Sequence, residues 1–104
     1  MLAQAPVENN SPVLPVALPR PAVVYQALSW QGFDVRYCYC VAACQDEATY
    51  RVRLIDAADI NPTILYRNIH EAFCEHTAIT SILTKDGDVV ADIQLSVRST
   101  RLSF

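Results

Sequence analysis

Glycine is almost missing from this chain: Gly32 and Gly87 are the only two in 104 residues. That excludes glycine-rich phosphate loops and dinucleotide fingerprints, which need several glycines at fixed offsets to bring backbone close to a phosphate. No zinc-protease helix and no nucleophile elbow occurs either. With those constellations missing, no catalytic residue is assigned and no enzyme activity is expected. There is no apolar run of the roughly 18–20 residues that a spanning helix needs, so no membrane role is expected. The first residues lack the basic start and unbroken apolar stretch of a signal peptide, and prolines interrupt them. The expected setting is the cytoplasm, where the four cysteines would be thiols or metal ligands instead of a disulfide framework. Lysine is also scarce, one residue against seven arginines, and the net charge is −3. A nucleic-acid binder draws most of its affinity from neutralising phosphates, so this balance argues against nucleic acid as a partner.

What is present suits one small domain. At 52% hydrophobic and 18% charged, the chain can bury a core without staples. Five of the six prolines lie within the first 21 residues. Proline fixes φ and removes a backbone donor, so residues 1–21 read as an extended or disordered arm, and 22–104 as a single α+β domain. The arm carries Val13, Leu14, Val16 and Leu18, more apolar surface than an inert leader needs. They are the candidate residues of an arm that lies across a partner.

From Ala22 the texture changes. "AVVYQALSW" (22–30) is β-branched and aromatic and predicts a strand, followed by a turn at "QGFD". "VRYCYCVAAC" (35–44) predicts a long strand, and "TYRVRLI" (49–55) alternates Tyr50, Val52 and Leu54 against Arg51 and Arg53. "DAADINPT" is a helix start: Asp59 or Asn61 can cap, and Pro62 suits the first helical position. The helix is expected to run to about His76, with Leu65, Ile69, Ala72, Phe73 and His76 on its apolar face. "AITSIL" and "VVADIQLSVRS" predict two closing strands around a turn at "TKDGD". The order is β-β-β-α-β-β, an antiparallel sheet of about five strands with one helix on one face.

Cys38, Cys40, Ala42 and Cys44 fall on one face of their strand, and Tyr37, Tyr39, Val41 and Ala43 on the other. Apolar residues on both faces predict an inner strand, with the cysteines serving as small packing groups. Zinc is the alternative. Cys38 and Cys40, with His70 and Cys74 four apart on the helix, could supply four ligands. The latter two point away from the helix's apolar stripe, and a CxC strand lacks the turn that CxxC provides. The packing reading therefore stands first, with no metal and no cofactor. A redox role lacks a CxxC, and only Arg36 is placed to lower a thiol pKa. Arg36, Arg51, Arg53 and Arg98 are expected on strands, where they form either a positive stripe suited to an interface or a solvated face balanced by Asp92.

"RPAVVYQALS" (20–29) resembles the proline-led P-x-V-V-Y-Q strand of bacteriophage tail-terminator and tail-completion proteins. "YRVRLIDA" (50–57) is similar to that family's strand before its main helix. The helix from 62 and the alternating strand "DVVADIQLSV" (88–97) follow in the family's order. That family commonly opens with a helix, where this chain has its proline-rich arm. The resemblance implies a virion assembly protein forming a ring at the head–tail junction, in the host cytoplasm or the virion. Its partners would be further copies of itself and other assembly proteins, with no catalytic residues to carry over. Two alternatives remain: a small cytoplasmic adaptor or regulator that binds a protein through an edge strand or the arm, and a zinc-binding module.

Overall fold

The computed structural model describes residues 12–74 and 76–97. Two helices and four strands follow in the order α1 (Pro21–Trp30), β1 (Val35–Ala43), β2 (Glu47–Leu54), α2 (Pro62–Phe73), β3 (His76–Lys85) and β4 (Asp88–Ser96). The strands form one antiparallel sheet in the order β1-β2-β4-β3. The α+β class and the antiparallel sheet are as expected from sequence. The sheet has four strands instead of about five, and a second helix takes the place of the first expected strand.

Residues 21–30 are helical for reasons that outweigh their β-branched valines. Pro21 sits in the first turn, where its missing N–H costs nothing. Pro21, Val24 and Leu28 are buried, three and four residues apart, the spacing of one helical face. The helix ends in a Schellman motif. The Phe33 amide donates to the Leu28 carbonyl and the Gly32 amide to the Ser29 carbonyl, with Gly32 at φ 102°. "QGFD" is thus a helix terminus and not a hairpin turn. Helix α2 begins as expected, with Pro62 in its first turn and the Asn61 side chain accepting from the Thr63 amide at 2.7 Å. It ends earlier than expected. Cys74 takes a left-handed conformation, φ 53°, and His76 already opens β3. His76 therefore belongs to a strand, not to the helix's apolar face.

The core lies between the helices and one face of the sheet. Row by row across the sheet, Cys38–Val52–Ala91–Ile82 and Cys40–Tyr50–Ile93–Ile79 stand side by side. Val24 and Leu28 from α1 and Leu65 and Ile69 from α2 close over them. The start of the chain joins this core too. Leu18 is buried, Leu14 packs against the cluster, and the Tyr50 hydroxyl donates to the Pro19 carbonyl at 2.6 Å. Residues 1–11 of the expected arm lie outside the described residues.

Strand β1 corrects two expectations. Among the described residues it is an edge strand, paired only with β2, and not an inner one. Its alternation is also broken. The register slips between Val35 and Tyr37 and again between Cys40 and Ala42. After the second slip Ala42 opposes Thr49 and Ala43 opposes Ala48, so Ala43 packs on the core while Ala42 and Cys44 are exposed. A bulge adds one residue to a strand and reverses the facing of everything beyond it. Cys38 and Cys40 share the buried face as expected; Ala42 and Cys44 do not.

Candidate interaction surfaces

Among the described residues no helix covers the second face of the sheet. Two rows cross it: Tyr39–Arg51–Asp92–Ser81 and Tyr37–Arg53–Val90–Leu83. They line a shallow depression of about 310 Å³. Arg51 engages Asp92 with both arms of its fork, Nε to Oδ1 at 2.8 Å and Nη2 to Oδ2 at 3.0 Å. The Asp92 bond, and after it Tyr39, hold the Arg51 guanidinium protonated more firmly still than usual. Arg53 Nε donates to Asp88 Oδ2 at 2.7 Å, and Arg36 lies 3.8 Å from the same oxygen. Asp88 Oδ1 accepts the Asp56 amide. That backbone bond and the Arg53 bond hold the Asp88 carboxyl below its usual pKa. Its contribution to stability is therefore present above the ordinary carboxylate pKa and is lost as pH falls through the lowered value. Tyr37 and Tyr39 flank the arginines with ring centroids 5.5 Å apart.

Sequence reasoning placed Arg51 and Arg53 on this face and Asp92 as a counter-charge. The structure pairs Arg51 with Asp92 as expected and Arg53 with Asp88, with Arg36 beside the same Asp88 oxygen. Arg98 lies outside the described residues. An arginine whose fork is filled by a neighbouring carboxylate is not free to hold a ligand. Arg51 and Arg53 are ion-paired with Asp92 and Asp88, so the face is not a bare positive stripe.

The edge of β1 is blunted by its two bulges, which interrupt the regular hydrogen-bond ladder that an added strand would copy. That disfavours docking by strand addition there.

The four cysteines divide into two pairs. Cys38 and Cys40 are buried, and Cys44 and Cys74 exposed. Burial pushes the Cys38 thiol far above its ordinary pKa, with the adjacent Cys40 adding to the effect, and burial raises Cys40 as well. His70 on α2 and Cys74, which caps its end, are exposed, whereas Cys38 and Cys40 are buried. Among the described residues no three His, Cys, Asp or Glu side chains converge as a metal site would require. The thiolate is the reactive form, so the pairs should react differently. Ellman's reagent should modify Cys44 and Cys74 of the native protein quickly. Cys38 and Cys40 should react at least about 100-fold more slowly, at the rate at which the core opens. Rapid reaction of all four would refute the buried placement.

A third surface was not visible in the sequence. Between the outer sides of α1 and α2 runs an apolar groove of about 590 Å³, bordered by Val23, Ala27 and Trp30 from α1 and Phe73 from the end of α2, with Gln26 and Gln31 also lining it. Trp30, the single tryptophan, is 79% exposed, and Val23 is half exposed. The helix explains this: with 21, 24 and 28 turned inward, 23 and 30 must turn outward. Read as a strand, the same residues would put Trp30 on the face of Leu28 and hide it. On the arm, Val13 and Val16 are exposed at 94% and 103%, whereas Leu14 is half-buried and Leu18 buried. The arm candidates thus separate into two that hold it to its own core and two that face outward. No helix among the described residues is long and apolar enough to cross a membrane. Compared with family models, curated proteins and solved structures, the chain matches none.

Proposed function

We propose that this chain is a non-enzymatic assembly protein that works by binding further copies of itself and other proteins. The observation that carries this reading is the groove beside Trp30. A large aromatic left four-fifths bare, continuous with half-exposed Val23 and part-buried Phe73, is the composition of a binding hot spot. Tryptophan gives the greatest contact area for the fewest rotatable bonds, so covering it recovers much free energy at small entropic cost. The rest of the molecule supports binding over chemistry. Its buried thiols are poor nucleophiles, and the carboxylates of the open sheet face are engaged by arginines.

The narrower reading, a tail-completion or head–tail connecting ring component, draws on the second half of the chain. There β2, α2 and the closing strand β4 keep that family's order. In the first half, residues 20–29 resemble the family's opening strand yet fold as α1, while α1 also fills the place of the helix with which such proteins commonly begin.

The test is oligomeric state. Light scattering on the protein at tens of micromolar should give a mass above the 11.6 kDa of one chain. Trp30→Ala should weaken association at least tenfold, as expected for loss of an aromatic anchor worth about 2 kcal/mol or more. A wild-type protein that stays monomeric at these concentrations overturns self-assembly. Unchanged association in the variant removes the groove from the interface.

A further inference from the structure

We propose that the groove between α1 and α2 is filled by the proline-rich segment Pro12–Val16 of a second copy of the chain. This rests on the assembly reading above and supplies the contact through which it operates.

The segment has one side in and one side out. Leu14 and Leu18 pack against their own core, and the Pro19 carbonyl is held by Tyr50. Those anchors fix the segment where it lies, so Val13 and Val16 face away from the molecule. Held there, they are presented to another molecule and not to their own groove. Apolar side chains at full exposure on an anchored segment are surface waiting for cover.

Size and chemistry agree. Three residues of an extended proline-rich chain span about 9 Å, the most that can separate Val13 from Val16, where the chain turns and the Leu18 amide donates to the Pro15 carbonyl. Seven residues of helix span about 10 Å, the separation of Val23 from Trp30 along the groove. Proline suits such a site because it brings no N–H that would be buried without a partner. Its ring lies well on an indole face, and proline-rich segments are bound elsewhere in aromatic-lined grooves by the same contact. The remaining carbonyls of the segment meet Gln26 and Gln31, whose amides can donate. Neither surface carries charge: residues 12–18 read PVLPVAL, and the groove residues are all neutral. The contact is therefore apolar and should survive molar salt, unlike one made by ion pairs. Because segment and groove are different surfaces, each copy offers one and receives one, which builds a head-to-tail ring, a filament or an arm-exchanged dimer.

The experiment uses two chains that each lack one half of the contact. One begins at Ala17 and keeps Leu18 and Pro19; the other is full-length Trp30→Ala. Each alone should be monomeric by light scattering, and mixed they should form a one-to-one pair. The tryptophan-free partner makes all emission at 295 nm excitation come from the groove of the shortened chain. That emission should move to the blue and resist acrylamide when the partner, or a synthetic peptide of residues 12–18, is added. The full-length double variant Val13→Asp/Val16→Asp, altered only at exposed positions, should associate at least tenfold more weakly and serves should the shortened chain fail to fold. Suppose the wild type associates but the valine variant does so equally well, or Trp30 emission ignores both peptide and partner. The arm contact is then overturned and assembly stands on another surface. If the wild type itself is monomeric, both readings fall together.

Discussion

Leu28→Ala should lower the unfolding free energy by about 2–5 kcal/mol, the usual cost of emptying a closed site of a large aliphatic side chain. Leu28 is fully buried, and it lies two residues before the end of α1. It also supplies the carbonyl that receives the Phe33 amide, so its turn is held at both backbone and side chain. In a domain of this size each kcal/mol moves the melting temperature by roughly 4–8 °C, so the loss is easily measured by thermal or urea unfolding. The control is Trp30→Ala two residues away. In the monomer it should cost less than about 1 kcal/mol, because exposed substitutions rarely cost more. The ordering is diagnostic. A strand over 22–30 would put Leu28 and Trp30 on one face and make both changes expensive. A Leu28→Ala protein as stable as wild type would show that α1 is not docked on the sheet.

Tyr50 should be the second sensitive position. It is fully buried in the middle of β2, between Cys40 and Ile93, and its hydroxyl crosses the core to the Pro19 carbonyl. Tyr50→Ala should cost about 3–5 kcal/mol, as for other large aromatics removed from a core. Tyr50→Phe keeps the ring and removes the donor, and should cost about 0.5–1.5 kcal/mol. Chemical denaturation of both variants separates the volume of the ring from its hold on the chain before α1. A Phe variant indistinguishable from wild type would mean that the packing of Leu14 and Leu18 is enough to fix that segment.

Most of the sheet was legible in the sequence because alternation is a strong signal when one face is buried. Tyr50, Val52 and Leu54, and Ala91, Ile93 and Leu95, are all fully or almost fully buried at the positions alternation predicts. The start of α2 was legible from Asn61 and Pro62 for the same kind of local reason. Residues 22–30 were misread because Val23, Val24 and Tyr25 look strand-like. The better clue was the 21, 24, 28 spacing closed by Gly32, which marks a helix and its terminus. The slips in β1 leave no local trace: Arg36 and Val41 are ordinary strand residues, and only pairing with β2 shows them to be extra. For the same reason the position of β1 at the edge could not be read from its composition. Two tyrosines and a valine on the open face are half-buried without any helix above them. The groove was invisible because it depends on the helix that was missed; the partner of Arg51 was within reach, since Asp92 falls on the same face, whereas Asp88, the partner of Arg53, reads in the sequence as the end of the turn TKDGD.

The sheet order has a bearing on how the chain is made. β2 and β3 run parallel with β4 inserted between them, so the strand that joins the two halves is the last of the four to leave the ribosome. Until it emerges, the α1–β1–β2 portion and β3 have no shared ladder, and each exposes a bare inner edge. Synthesis halted before Asp88 should therefore yield a species prone to capture by chaperones, and tertiary structure should be acquired in one late step.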